Sequence, residues 1–431
     1  MRSKLKATLQ NPYMRGGIAL SIASFGVGFI NYASNALIAR GLGSGGYGEY
    51  ATVISYVALL TIPLATISTE IIKKIKQHTS DTTAMNRRIK GWEDALIRSA
   101  WHNKYAVVLL PIVIVIIQRA TSLTWFSSAF LVLLGATLVF GTFYMAVAQG
   151  AHEFGKFTAV AVAGALVKLM GAVIVAYVYQ SLYVVLFFIV LSSIPPLLLR
   201  FSFVARLTSH HAPNMSRVRL RSIIFRPSVI ITTGSLLGFG LLGSVDVMIA
   251  KHVLSAQNLG LLGGWSLLAK IITYVFGPLF ALSIIYFSDP HALRHSKMPA
   301  YASLFLLLAG IVVANIAYSI LGGTVIHIVL GDSFLSIAPH AAAAAVYGSL
   351  MTCCLLFTNY FITQNSRIGL LPLFVVPLQV AAIAYFHQDL ATIFYIDIYA
   401  ALAVFGGYLI ALLLQLNARR TWIPKKAPNI S

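Results

Sequence analysis

Residues 17–38 have the sequence GIALSIASFGVGFINYASNALI, a run of apolar and small residues without a charged side chain. An α-helix needs roughly 20 apolar residues to cross a bilayer core about 30 Å thick, so this run is long enough for one span. Residues 227–250, PSVIITTGSLLGFGLLGSVDVMIA, form a similar run with a single acid, Asp246. The two runs predict a membrane helix at the start of each half of the chain.

The composition extends this prediction to the whole chain. Of its 431 residues, 58% are hydrophobic and 10% are charged, whereas a soluble domain has about 45–50% and about 25%. We therefore predict an all-α polytopic membrane protein with about twelve transmembrane helices. The predicted spans are 17–38, 49–69, 103–118, 123–148, 157–178, 182–203, 227–250, 259–287, 300–321, 338–361, 368–386 and 394–416.

The basic residues predict the orientation of these spans. With the N-terminus in the cytoplasm, 26 of the 31 Lys and Arg residues fall on the inner side, three (Arg40, Arg119 and Lys251) fall outside, and two (Lys168 and Lys270) fall within spans. Cytoplasmic loops are enriched in Lys and Arg, so both termini are predicted to be cytoplasmic in a multi-pass protein of the inner (cytoplasmic) membrane. The same bias explains the net charge of +20 without a nucleic-acid partner.

The two halves of the chain contain an internal repeat. A shift of 211 residues aligns Asn35 with Asp246 and Arg40 with Lys251. Six spans in each half mean that both repeats enter the membrane in the same direction, so a pseudo-two-fold axis along the membrane normal should relate two six-helix lobes. The predicted division is an N-terminal lobe (1–205), a basic cytoplasmic linker (206–226) and a C-terminal lobe (227–431).

A helical stripe also lies between the second and third spans. Met85, Ile89 and Trp92 lie on one face, with basic residues nearby. This pattern predicts an amphipathic helix. Two positions remain open for it, the inner membrane surface or the inner ends of the transmembrane helices.

Two stretches resemble a known family. NALIARGLGSGGYGEYA (35–51) and VDVMIAKHVLSAQNLGLLGGWSLL (245–268) are similar to the oligosaccharide (O-antigen-type) flippases, whose superfamily also contains lipid II flippases and multidrug and toxin extrusion pumps. The resemblance implies a transporter that moves an undecaprenyl-pyrophosphate-linked oligosaccharide to the outer leaflet by alternating access, for surface polysaccharide biosynthesis. It further implies contacts with membrane lipids and, as candidate partners, a glycan polymerase and glycosyltransferases of the same pathway.

Two other functions remain open. A multidrug or organic-cation antiporter of the same superfamily would favour acidic cavity residues. An integral-membrane glycan polymerase or ligase would need a sizeable outer loop for its catalytic residues, and the predicted outer loops are short. Gly41, Gly43 and Gly46 fit a dinucleotide-binding pattern, but they follow a membrane span rather than a β-strand. We therefore expect no enzymatic activity, no catalytic residue, no cofactor and no metal.

The intramembrane cations are the strongest candidates for substrate binding. Lys168 lies in AGALVKLMGAV, where a charged side chain costs about 2.5–3.5 kcal/mol on insertion scales. Lys270 lies within the eighth span. Two cations, one in each half, would suit a pyrophosphate group, although a structural ion pair remains open for each. The predicted substrate-binding set is Lys168, Lys270, Arg40, Lys251, Asn31 and Asn35.

Asp246 is the candidate for ion coupling, with a structural pair to Lys251, Lys270 or Arg40 as the alternative. Asp397 lies near the predicted start of the last span, where a position at a helix N-terminus explains an acid. With so few intramembrane carboxylates, we expect the membrane potential alone to support transport.

Overall fold

The computed structural model describes residues 12–76, 82–102, 105–208, 227–276 and 298–421, and all regular structure in these ranges is helical. The helices longer than eight residues, numbered in chain order, are α1 (Pro12–Lys76), α2 (Thr82–His102), α3 (Ala106–Thr121), α4 (Trp125–Gly150), α5 (Phe154–Tyr177), α6 (Leu182–Ser192), α7 (Pro227–Leu242), α8 (Val245–Val253), α9 (Ala256–Val275), α10 (Met298–Val329), α11 (Ala341–Thr363), α12 (Leu371–Tyr385) and α13 (Leu390–Thr421). A nine-residue 3-10 helix covers Asp332–His340, and shorter helical segments cover Ile194–Leu199, Arg200–Val204, Ala205–Thr208 and Arg367–Leu370.

The long helix α1 is a hairpin that reverses at Gly43. In a straight helix, Asn35 and Tyr50 would lie about 22 Å apart at 1.5 Å per residue, yet the Tyr50 hydroxyl donates a hydrogen bond of 2.6 Å to Asn35 Oδ1. Gly43 has φ 61° and ψ 179°, a left-handed conformation that glycine adopts without a steric penalty. The residues before Gly43 form the first arm and those after it the second arm. The glycine-rich motif is therefore a turn between two spans.

The helices account for the twelve predicted spans. Among the described residues, nine helices are long and apolar enough to cross a membrane, or ten when the bent pair α7–α8 counts as one span. This count includes both arms of α1 as a single helix, and the short helix α3 corresponds to the predicted third span. The fold class, an all-α polytopic membrane protein, is confirmed. Residues 209–226, most of the predicted linker, lie outside the described residues, so the lobe boundaries stay a prediction.

The two halves share one apolar core near the Gly43 turn. This core includes Ile38 and Val175 from the first half and Trp265 and Phe394 from the second. A second, smaller core contains Ile71, Ile75, Trp92, Phe143 and Leu199, and all of its described members belong to the first half. Within the described residues, the halves thus share the core beside the Gly43 turn, and they also touch further along the second arm, where a Cβ at Gly240 would lie 2.5 Å from Ile62 Cδ1. The second core belongs to the first half.

The amphipathic helix α2 packs on this second core. Ile89 and Trp92 are 0% and 1% exposed, so the apolar stripe faces the protein rather than the membrane. The buried Glu93 accepts a hydrogen bond of 3.1 Å from Arg200 Nε. Of the two positions left open by the sequence, the structure shows packing on the ends of the transmembrane helices.

Candidate functional site

The first polar site of the protein lies between α5 and the first arm of α1. Ala165, Ala172 and Val175 form a buried stripe on one face of α5, and side chains this small let a neighbouring helix approach closely. Lys168 lies on the same face and interrupts the stripe. Its Nζ donates a hydrogen bond of 3.0 Å to Asn35 Oδ1 on the first arm.

The positive charge of Lys168 is not cancelled by a neighbouring acid. Asn35 is a neutral partner, and its Oδ1 also accepts the hydrogen bond from Tyr50. Within the described residues, no carboxylate forms an ion pair with Lys168. The side chain is half-buried, so part of its surface remains accessible. Lys168 is thus a cation inside the protein that could bind an anion.

Other polar groups lie close to this lysine along the first arm. Asn31 is one turn before Asn35 on the same face and is half-buried. The ring of Tyr32 lies 6.4 Å from the ring of Tyr274 on α9, which belongs to the other half. The Lys168 site therefore adjoins the interface between the halves.

The second polar site is built around a break in the seventh span. Helix α7 ends at Leu242, α8 begins at Val245, and the two are bent by 47°. The break frees the Leu242 carbonyl, which accepts hydrogen bonds from Tyr347 Oη at 3.1 Å and Gln379 Nε2 at 3.3 Å. Neighbouring helices satisfy the backbone at the break, as a membrane interior requires.

Two carboxyl groups face each other beside this break. Asp246 on α8 and Asp397 on α13 are both 0% exposed, and their carboxyl groups are close enough to interact electrostatically. Gln379 Nε2 on α12 donates a hydrogen bond of 2.8 Å to Asp397 Oδ1. Lys270 on α9 interacts electrostatically with both carboxylates. We call these four residues the acid site.

The position of Asp397 corrects the sequence analysis. It lies seven residues after Leu390, the first residue of α13, and is buried, so a position at the helix N-terminus does not explain it. Asp397 and Gln379 were both missed as site residues. The signal that could have identified Asp397 was its place within the apolar stretch FYIDIYAALAVF (394–405). For Asp246, the structure places Lys270 nearby, whereas Lys251 pairs with another carboxylate.

The internal repeat relates the two polar sites. Asn35 and Asp246 are 211 residues apart in the sequence, and so are Lys168 and Gln379. Lys168 donates to the amide of Asn35 in the first half, and Gln379 donates to the carboxylate of Asp397 in the second. At these aligned positions the first half has a lysine and an amide, and the second half has an amide and an acid.

The cations Arg40 and Lys251, predicted to bind substrate, each contact the opposite half in this structure. Arg40 Nη2 donates a hydrogen bond of 3.0 Å to the His327 carbonyl, and Lys251 Nζ lies 3.2 Å from Glu49 Oε2. The two cations are also equivalent under the repeat. Each one reaches from its own half to the opposite half, beside the Gly43 turn.

Small residues let the second arm and α9 cross closely at the same place. Gly260 is so close to the Ser44 carbonyl that a Cβ at residue 260 would overlap it. A Cβ at Gly48 would lie 2.8 Å from the Gly260 nitrogen, and one at Gly263 would lie 2.8 Å from Ala51 Cβ. We call this crossing, together with the contacts of Arg40 and Lys251, the closed face.

Solved structures share this architecture, although no protein-family model and no curated protein matches the sequence. An inward-facing multidrug resistance MATE transporter of the MOP superfamily is 12% identical, with a TM-score of 0.68 over 92% of this chain and 96% of that one. The chain has the fold of the MOP superfamily transporters. The lipid II flippase MurJ in an inward closed conformation is 10% identical, with a TM-score of 0.57 over 92% of this chain and 87% of that one. A MOP superfamily transporter from Pyrococcus furiosus, described by the reverse polarity of its binding pocket, is 14% identical, with a TM-score of 0.54 over 93% and 96%.

The predicted orientation assigns the closed face to one side of the membrane. The sequence predicts that Arg40 and Lys251 lie on the outer side, and under that prediction the closed face is the outer one. The MATE transporter with the TM-score of 0.68 was solved in an inward-facing conformation. The similarity to these proteins concerns the fold, and the cargo has to be argued from the residues of this chain.

A first prediction concerns the ion pair across the closed face. The side chains of Lys251 and Glu49 are only 16% and 14% exposed, so Lys251→Met should weaken closure by about 1 kcal/mol, a roughly five-fold shift towards the outward-facing state. Distances between spin labels at Arg119 and Gln257 should lengthen. Lys156→Met is the matched control, because its pair with Glu153 lies within one half and is 44% and 41% exposed. If Lys251→Met has the same effect in a Glu49→Gln background, the ion pair does not hold this face closed.

Proposed function

We propose that the protein is an alternating-access flippase that moves an anionic lipid-linked oligosaccharide, of the undecaprenyl-pyrophosphate class, from the inner to the outer leaflet for surface polysaccharide biosynthesis. One observation carries this proposal. Lys168 is a cation inside the protein whose partner, Asn35, is neutral. A buried charge is costly, and a diphosphate that binds it would recover part of that cost through charge-assisted hydrogen bonds.

The surroundings of Lys168 suit the rest of such a cargo. The amides of Asn31 and Asn35 can bind sugar hydroxyls, and the rings of Tyr32 and Tyr274 offer apolar faces with polar tips. The site adjoins the interface between the halves, which opens and closes in alternating access. With the closed face on the predicted outer side, the head group would enter from the cytoplasmic side of the inner membrane, where glycosyltransferases of the same pathway would supply it.

A multidrug antiporter is the second candidate function, and the acid site favours it. Asp246 and Asp397 are buried carboxylates, the groups that an organic cation would need. For one MOP superfamily transporter, the reverse polarity of the binding pocket was taken to suggest a different function. The charge of the pocket therefore distinguishes the two candidate functions. Here the carboxylates already face Lys270, whereas Lys168 has no acid to offset it. We therefore favour the anionic cargo.

Transport in liposomes tests the proposal directly. Purified protein should move a fluorescent undecaprenyl-diphosphate oligosaccharide between leaflets faster than protein-free liposomes do, and should leave ethidium transport at background. Transport of ethidium without the lipid would favour the multidrug antiporter. Lengthening of the glycan, detected by mass spectrometry, would favour the polymerase. The same glycan on an uncharged lipid serves as the control for the charge of the head group.

A further inference from the structure

The side-chain oxygen of Asn35 accepts hydrogen bonds from two separate helical segments. Lys168 Nζ on α5 donates to Oδ1 at 3.0 Å, and Tyr50 Oη on the second arm donates to the same atom at 2.6 Å. An ammonium group has no acceptor, so its contact requires the oxygen and not the nitrogen of the amide. In the described part of the chain, Asn35 Nδ2 forms no hydrogen bond, which leaves both of its N–H groups available to a ligand.

This arrangement determines what the Lys168 site can offer to a cargo. With Oδ1 occupied, Lys168 and Asn35 present only donors, as an anion requires. The terminal torsion of an asparagine rotates readily, and a half-turn would put the oxygen where Nδ2 now lies and repel an anion. Lys168 alone restrains this rotation weakly, because its ammonium turns towards an anion that binds. The bond from Tyr50 does not involve the cargo and keeps the amide in place.

The ring of Tyr50 is held by the closed face. Tyr50 is 1% exposed, and the centroid of its ring lies 5.5 Å from that of Tyr47. The Tyr47 ring in turn meets the ring of Phe334, in the other half, edge to face at 5.8 Å. Helix α9 also packs on Tyr47, since a Cβ at Gly263 would lie 3.3 Å from Tyr47 Cε1. These contacts between the halves exist only while the second arm and α9 are together.

We propose that Tyr50 is a positioning residue that makes the Lys168 site bind anions more tightly while the face is closed. When the face opens, Tyr47 separates from Phe334 and α9, and the Tyr50 ring loses the packing that keeps its hydroxyl on Asn35. The amide can then turn, and the anion is held less tightly. Because such coupling is reciprocal, an anion bound at Lys168 stabilises the closed face by the same factor.

This inference deepens the proposed function and rests on its premise that the cargo contributes an anion to Lys168. With the closed face on the predicted outer side, tighter binding in the closed state favours uptake of the cargo from the cytoplasm. Weaker binding in the open state favours its release outside. The role of Tyr50 is separate from that of Lys168, since its hydroxyl acts through Asn35.

Binding of inorganic pyrophosphate to purified protein in detergent tests the role of the hydroxyl. Tyr50→Phe should raise the dissociation constant, measured by calorimetry at fixed pH and ionic strength, by roughly three- to ten-fold, the range expected for one neutral hydrogen bond. The variant keeps the ring, and Asn35 Oδ1 keeps the bond from Lys168, so it should fold. Tyr56→Phe is the matched control, because it removes a half-buried hydroxyl from the same arm that forms no hydrogen bond in the described part of the chain. Only the binding that Lys168→Ala abolishes is attributed to the site.

Two combinations of variants separate positioning from a structural role. In an Asn35→Ala background, Tyr50→Phe should no longer change the affinity, because there is no amide left to orient, whereas a structural effect would persist. Gly260→Ala, whose new Cβ keeps the second arm and α9 apart, should bind pyrophosphate more weakly than wild type, and Tyr50→Phe should add little further loss. If Gly260→Ala does not accumulate, Tyr47→Ala removes the ring that packs on Tyr50 and should give the same result.

The outcomes distinguish the inference from the proposed function. Equal affinity of Tyr50→Phe and wild type, an equal loss in the Asn35→Ala background, or wild-type affinity in Gly260→Ala overturns the inference and leaves the anionic cargo in place. Wild-type protein that binds no pyrophosphate through Lys168 overturns the inference together with its premise. Flipping is measured separately in liposomes, so a protein that binds pyrophosphate at Lys168 but does not flip the lipid-linked oligosaccharide refutes the proposed function alone.

Discussion

Replacement of Lys168 by alanine should reduce flipping of the lipid-linked oligosaccharide by roughly 10- to 100-fold, because a hydrogen bond to a charged group contributes about 1.5–3 kcal/mol. Lys168→Arg should retain more activity than Lys168→Ala, since the charge survives even though the guanidinium has a different shape. Initial rates in liposomes at a fixed protein content provide the measurement. The effect should be much smaller for the uncharged lipid carrying the same glycan.

The alanine variant should still fold, which makes the loss of transport interpretable. Asn35 Oδ1 keeps the hydrogen bond of 2.6 Å from Tyr50, so no buried acceptor is left unpaired. Removal of a charge from the protein interior also relieves a cost. Lys156→Ala is the matched control on the same helix, because Lys156 pairs with Glu153 at 3.2 Å near the start of α5. Equal flipping by Lys168→Ala and Lys156→Ala would remove Lys168 from the cargo site.

The membrane architecture could be predicted from the sequence because the bilayer imposes a strict length. Every span must be apolar over roughly 20 residues, and the loops between spans retain their charges. The reversal at Gly43 follows the same reasoning, since a single helix of 65 residues would extend about 97 Å. The repeat aligned Asn35 with Asp246, and both residues belong to polar sites in the structure.

Pairing between helices could not be predicted in the same way. Asp397 and Gln379 are 18 residues apart in the sequence, and their contact depends on how α12 and α13 pack, which no local pattern encodes. The sequence showed that Arg40 and Lys251 are positively charged. It did not show that each side chain would contact the opposite half of the protein. An intramembrane lysine looks the same in a sequence whether it faces an amide, as Lys168 does, or two carboxylates, as Lys270 does.

Gly260→Ala should prevent closure of the face that is sealed in this structure. The new Cβ would overlap the Ser44 carbonyl, a backbone atom that cannot rotate away. Overpacking of this kind costs up to about 3 kcal/mol, which corresponds to a shift of up to roughly 100-fold towards the state in which the second arm and α9 are apart. Alanine is a better helix former than glycine, so weakening of α9 would not explain a loss of transport.

The accessibility of a cysteine at Ala51 measures this shift. Ala51 is half-buried at the crossing, and its Cβ would lie 2.8 Å from a Cβ at Gly263. A thiol at residue 51 is therefore partly shielded while the face is closed. In a background with Cys353→Ala and Cys354→Ala, Gly260→Ala should speed alkylation of the Ala51→Cys thiol by a reagent added outside, and should slow flipping. Gly45→Ala is the control, because Gly45 has open space around it and lies next to Ser44. Since the clash affects only the closed state, a variant that cannot close should be trapped with the second arm and α9 apart yet remain folded. Wild-type flipping and an unchanged alkylation rate in Gly260→Ala would show that transport does not require this close crossing.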